Sequence, residues 1–210
     1  MKTIIFDFDG TIADSFAIVI SIAHDIIHRS RPVTAAEMAT LRQTKLLEVA
    51  KKEQIPVWHI PFMLMRGRRV MSKRIDEVGL FEGMATVINQ LHKDGYRLII
   101  MSSNSSGNIK NFLEAHKLSR YFDKVYGGAG LFGKRRVLRR ILWVNRLSAD
   151  ECIYIGDEAR DIQASNEVGM SCIAVSWGYN STILLRKLKP LAVVDNPGEL
   201  LTVISHRASL

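Results

Sequence analysis

Apolar residues along this chain fall into short strand-like runs separated by stretches with a helical period. The runs TIIFDF (3–8), YRLIIMS (96–102), ECIYIG (151–156), SCIAVS (171–176) and LAVVD (191–195) have strand length and are bounded by turn signals, and KVYGG (124–128) adds a shorter one. Between them, Gly107–His116, Lys134–Asn145, Ile162–Val168, Thr182–Leu188 and Pro197–His206 are amphipathic on a helical repeat. Gly95, Gly156, Gly169 and Gly178 punctuate the joins, as glycine does at helix ends and strand exits. Strand and helix alternating in this way predict βαβ units, and so an α/β fold with a mainly parallel sheet.

The first run stands apart from the second by a stretch too long for one crossover. Residues 14–79 read instead as helices, Ser15–His28, Ala35–Lys51 and Pro61–Val78, with Pro32, Pro56 and Pro61 at the breaks. The expected organisation is a core of residues 1–13 and 80–210, with a helical insertion, 14–79, placed where the first strand ends. Trp58 and the pair Met63 and Met65 are expected to pack inside that insertion. His24 and His28, four apart on one expected helix, have no third ligand near them and are read as an exposed face, not a metal pair.

Composition adds limits. A chain of 210 residues suits one domain plus a modest insertion, and 47% hydrophobic with 24% charged residues is ordinary for a globular protein. No uninterrupted apolar run reaches the roughly 18 residues of a membrane span, so no membrane partner is expected. The N-terminal apolar run is too short for a secretion signal and is followed at once by acids, so the expected compartment is the cytoplasm. Cys152 and Cys172 lie in apolar runs and read as buried free thiols. The net charge of +8 comes largely from residues 67–74 and 133–140. In the second run Arg135, Arg136, Arg139 and Arg140 fall on one side of a helix and Val137, Leu138, Ile141 and Leu142 toward the other, the pattern of a solvated face. Neither run interleaves aromatics and no zinc-finger spacing is present, so nucleic acid is not expected as a partner. A basic balance also suits a protein that attracts small anionic substrates.

Four places carry chemistry. DFDGT (7–11) follows the first strand, and ligands of open α/β sheets bind beyond the carboxyl ends of strands. Acids there are costly to desolvate unless they bind a cation or react. MSSN (101–104) places hydroxyls at the next strand end, where Ser102, with Ser103 beside it, could hold a phosphate oxygen. Lys134 lies in GKRR. GDEARD (156–161) follows another strand, with Asp157 and Asp161 one helical turn apart, so that two carboxylates could face one cation, although the same pair could cap the next helix.

This series, DFDGT with ADS (13–15), SSNSSGN, GK and YIGDEARDIQASNEVGM, resembles the haloacid dehalogenase-like superfamily of hydrolases. The later VSWGYNS (175–181) and VVDNPGEL (193–200) resemble its phosphoglycolate phosphatase-like branch, and the insertion resembles that branch's small helical cap. The resemblance implies a Rossmann-like core and phosphoryl transfer with Mg2+. Asp7 would be the nucleophile, Asp9 the general acid and base, and Ser102, Ser103 and Lys134 the phosphate-binding groups. Magnesium would be held by Asp7, the carbonyl of Asp9, Asp157 and Asp161, the last as ligand or as support. Arg66 and Arg69 in the cap would meet the substrate, a small phosphorylated metabolite such as 2-phosphoglycolate. Ser102 stands where threonine is commonest and keeps the hydroxyl; Arg135 follows Lys134 where proline is usual, so the lysine's position is for the structure to decide. An acid at position 9, which the dehalogenases lack, argues against dehalogenation. The alternatives are a non-catalytic phospho-ligand-binding or regulatory protein, or a phosphomutase, on the same scaffold; the oligomeric state is left open.

Overall fold

Buried on both faces, the apolar runs pair into one sheet. The computed structural model describes residues 2–26, 34, 37, 40, 51, 56–129 and 133–208. In chain order its strands are β1 (Thr3–Phe6), β2 (Ala13–Asp14), β3 (Gly79–Leu80), β4 (Arg97–Met101), β5 (Lys124–Tyr126), β6 (Cys152–Gly156), β7 (Ser171–Val175) and β8 (Ala192–Val194). Its helices are α1 (Phe16–Ile26), α2 (Ile60–Lys73), α3 (Met84–Lys93), α4 (Ser106–Ala115), α5 (Lys134–Asn145), α6 (Ala159–Asn166), α7 (Thr182–Lys187) and α8 (Pro197–Ala208).

Six strands form a sheet in the order β5-β4-β1-β6-β7-β8, parallel throughout. Phe6 at the end of β1 lies beside Ile100 of β4 and Ile155 of β6. The chain therefore builds outward from β1 on one side, then crosses back to continue on the other. That reversal leaves a crevice at the carboxyl ends of β1, β4 and β6.

Alternation along β1 sorts its side chains between two cores. Ile4 and Phe6 join Leu98, Ile100, Ile153 and Ile155 against apolar residues of α3, α4 and α8, while Ile5 joins Ile99, Met101, Tyr154 and Cys172 against α5, α6 and α7. Cys152 and Cys172 are buried free thiols, as expected. No helix among the described residues is long and apolar enough to cross a membrane.

The strands end slightly sooner than the apolar runs. β1 stops at Phe6, so Asp7 opens the loop and is not the last strand position. Helix α6 starts at Ala159, three residues before the expected Ile162, because polar residues cap it and the apolar stripe begins later. Helix α3 is not singled out by the pattern, although Met84, Val87, Ile88 and Leu91 give it a buried stripe; Gly83, at φ 82°, turns the chain just before it. Helix α2 ends at Lys73 and a 3₁₀ turn, Ile75–Glu77, completes the stretch expected to be helical to Val78.

Helices α1 and α2 lie between β2 and β3, which pair antiparallel, Ala13 with Leu80 and Asp14 with Gly79. The expected helix Ser15–His28 is seen as α1; the expected helix Ala35–Lys51 and the side chains of His24 and His28 lie outside the described residues, apart from isolated positions. The expectation that Trp58 and Met65 pack inside the insertion is corrected: they are 75% and 56% exposed, and Met63 is half-buried. Helix α2 turns Met71 inward, and the helical period leaves Phe62, Met65 and Arg69 on its outer side.

Candidate active site

The loop after β1 is tight. The N–H groups of Ile12 and Ala13 both donate to the carbonyl of Phe8, at 2.9 and 3.0 Å, and Gly10 takes φ 78° at the bend. This turn keeps Asp7, Asp9 and Thr11 at the crevice. Asp7 is buried; its N–H continues the ladder to Ile155 at 2.8 Å, and its Oδ1 accepts from the N–H of Phe8 at 2.8 Å.

Three further loops close on it. Lys134, the first residue of α5, is buried, with its Nζ 2.5 Å from Asp7 Oδ2 and also bonded to Asp161 Oδ1. Asp161 lies in the first turn of α6, where its Oδ2 accepts from the N–H of Glu158 at 3.0 Å. The carboxylate therefore caps its helix with one oxygen and binds the lysine with the other, so the capping reading of GDEARD holds for Asp161. Asp157 sits just past β6, not on the helix; the strand-to-helix turn, more than an i,i+4 pairing, brings it near Asp161. Its Oδ1 accepts from Thr11 Oγ1 at 2.9 Å and its Oδ2 from the N–H of Tyr179 at 2.7 Å.

Oxygens of Asp7, Asp157 and Asp161 all lie within 4.8 Å of one another, and all three residues are buried. Burial pushes Asp7 up to about 7; Lys134 opposes the rise and Asp161 adds to it. Asp157 is raised well above the carboxylate range by burial, then by repulsion from Glu158, Asp7 and Asp161. Burial works to lower Lys134, but Asp161 and Asp7 more than offset it and the ammonium is held charged. One lysine thus serves a cluster with excess negative charge and only oxygen donors, a set that fits a hard divalent cation.

The loop after β4 completes the crevice. Ser102 is fully buried, and its Oγ accepts from the N–H of Asn104 at 3.0 Å; Ser103 is half-buried. Asn104 Nδ2 donates to both oxygens of Asp9, at 3.2 and 3.1 Å, and Ser15 Oγ donates to Asp9 Oδ1 at 2.9 Å. Burial raises Asp9, with these two partners pulling the other way. Asp7, Asp9, Ser102, Lys134, Asp157 and Asp161 therefore meet on one end of the sheet.

Comparison with known proteins identifies the family. The sequence matches the haloacid dehalogenase-like hydrolase family over residues 4–175. A phosphoglycolate phosphatase of Synechococcus elongatus is 32% identical over 208 residues, with 98% of each chain covered. One from Vibrio cholerae is 25% identical, with 97% of each covered. Among solved structures, a predicted phosphatase from Clostridium acetobutylicum shares the fold, with a TM-score of 0.83 at 22% identity over 98% of both chains. The chain belongs to the haloacid dehalogenase-like hydrolase family. It is a phosphatase of that family.

Two departures of this hydrolase from the usual pattern are accommodated. Ser102, just past the end of β4, is buried and keeps a hydroxyl that accepts from the N–H of Asn104. Arg135 does not displace Lys134; it is exposed and reaches Glu167 at 3.4 Å. Arg66 and Arg69 are exposed on α2. Site residues that sequence reasoning missed are Asn104, Ser15 and the loop after β7. There Trp177 Nε1 donates to the carbonyl of Thr11 at 3.2 Å, Tyr179 binds Asp157, and Asn180 Oδ1 accepts from the N–H of Ala159 at 2.8 Å. A Cβ on Gly178 would come within 2.2 Å of Asp157 Cβ, so only glycine fits; that glycine at a strand exit was the available signal.

Proposed function

We propose that this phosphatase hydrolyses a small phosphomonoester, with magnesium, through an aspartyl-phosphate on Asp7. The observation that carries the reading is the meeting of Asp7, Asp157 and Asp161 with Lys134 bonded to two of them. Asp7, Asp157 and the backbone carbonyl of Asp9 would hold Mg2+, which when bound supplies positive charge against the repulsion between Asp7 and a phosphate dianion. Asp161, with one oxygen on Lys134 and the other on its own helix, supports the lysine more naturally than it serves as a ligand.

The chemistry assigned to the side chains balances in two steps. The Asp7 carboxylate attacks phosphorus as the ester P–O bond breaks, and Asp9 gives its proton to the departing alkoxide oxygen. Asp9 then takes a proton from water as that water attacks phosphorus, the bond to Asp7 breaks and inorganic phosphate leaves. Ser102, Ser103 and Lys134 hold the non-bridging oxygens through both steps.

The names of the relatives support 2-phosphoglycolate, or a metabolite like it, as the substrate, and such a role belongs in the cytoplasm. We assign residues 1–13 and 80–210 to the catalytic core and 14–79 to a small helical cap, from which Arg66 and Arg69 would meet the anionic end of the substrate. The test is hydrolysis of a panel of phosphorylated metabolites with Mg2+, by wild type and Asp7→Asn. Wild type should release phosphate and the variant should fall to background; equal activity in both would remove the nucleophile assignment, and none in either would favour a binding protein.

A further inference from the structure

Asp9 is fixed from two sides, and one of those sides is a chain of hydroxyls. Asn104 holds both carboxylate oxygens and is itself held by Asn108 Nδ2, 2.9 Å from its Oδ1. On the other side the Ser15 hydroxyl, fully buried, gives its one proton to Asp9 Oδ1. The Oη of Tyr179 lies 2.9 Å from Ser15 Oγ, so with the serine proton already committed Tyr179 is the donor of that contact. The order is Tyr179 to Ser15 to Asp9.

Tyr179 is anchored at its other end. Its backbone N–H holds Asp157 Oδ2 at 2.7 Å, and its ring lies against Phe16, with centroids 5.2 Å apart. Ser15 in turn immediately precedes α1, its carbonyl accepting from the N–H of Val19 at 2.8 Å. One residue thereby ties the loop carrying the candidate metal ligand to the carboxylate that handles the proton, through the residue at which the chain enters the helical insertion.

We infer that Tyr179 and Ser15 are positioning residues that aim the Asp9 carboxyl at the leaving oxygen. This rests on Asp9 being the general acid. The work of the two hydroxyls is to remove the other rotamers of Asp9. Misplacing a reacting group by about 1 Å can slow a reaction by about a hundredfold, and Asn104 still holds Asp9 when the chain is cut, so a loss of about tenfold is expected.

The test separates aim from general damage by varying the leaving group. An alkyl ester such as 2-phosphoglycolate needs a proton on its departing oxygen, whereas 2,4-dinitrophenyl phosphate leaves as a stable phenolate and does not. kcat/KM is measured on both esters for wild type, Asp9→Asn, Tyr179→Phe and Ser15→Ala, the last cutting the same chain at its other end. Tyr179→Phe and Ser15→Ala should each lose about tenfold on the alkyl ester and several-fold less on the activated one, with Mg2+ affinity retained because the Tyr179 N–H remains. Equal losses on the two esters, or no loss on either, would overturn the inference. If Asp9→Asn itself fails to discriminate between the esters, it is the general-acid reading that has failed, and the two results are told apart.

Discussion

Asp157 illustrates how closely single residues are fitted here. Two hydrogen bonds hold its oxygens, and glycines press on it from two sides: a Cβ on Gly10 would come within 2.3 Å of its Oδ2, and one on Gly178 within 2.2 Å of its Cβ. The second contact falls on Cβ, which no side-chain rotation can move away. Gly178→Ala should therefore shift Asp157 and weaken Mg2+ binding by at least about tenfold, or roughly 1.4 kcal/mol, as read by calorimetric titration, with activity falling in step. The acids themselves were legible in the sequence because Asp9 and Asp157 each stand beside a glycine just past a strand and Asp7 and Asp161 lie within the same short motifs, a local signal. Their partners were not. Asn104 lies 95 positions from Asp9, and Tyr179 lies 164 from Ser15; no period or spacing joins such pairs before the sheet brings them together.

Among the elements, α4 connects stability to the site. Ser105 is its N-cap, the side chain accepting from the N–H of Asn108 at 3.1 Å, and its own N–H holds Asn104 Oδ1 at 2.8 Å. Ser105→Ala should cost about 1 kcal/mol of stability in urea unfolding, while the backbone bond that steadies Asn104 survives. Elements were legible where the pattern was strong: α5 spans the expected Lys134–Asn145, and all six strands of the main sheet coincide with apolar runs. Very short elements were missed, and so was α3 in spite of its buried stripe. The two-residue strands β2 and β3 are too short to show alternation, and they exist only because their partners meet. The exposed positions of Trp58, just before α2, and of Met65 on it were misjudged because both look like core residues by type, and only packing decides which residues face inward.

At the scale of the whole molecule, the protein carries a net charge of +8 yet concentrates buried acids at the sheet's central reversal. This has a consequence for stability. Without a cation, Asp7 is raised to about 7 and Asp157 and Asp9 are raised as well, all mainly by burial. The folded chain then binds these protons more tightly than the unfolded chain, whose aspartates titrate at about 3.9. Such stabilisation is complete below the unfolded value and is lost as pH climbs through the folded one. Metal-free protein should melt at a lower temperature at pH 8 than at pH 5.5, and Mg2+ should raise the melting temperature more at pH 8, as thermal scans with and without chelator would read. A melting temperature indifferent to Mg2+ at pH 8 would count against the cation site.

The pairing of Ala13–Asp14 with Gly79–Leu80 also bears on how such a chain diversifies. The tract between them departs and rejoins at adjacent strands, about 5 Å apart, so the sheet sets no requirement on its length. A different tract could be spliced in at that point if it offered apolar substitutes for Ile18, Ile22 and Met71, which share the core beneath. Ser15 could not be traded away freely with the rest: it lies inside the exchangeable stretch, yet its hydroxyl donates to Asp9 outside it.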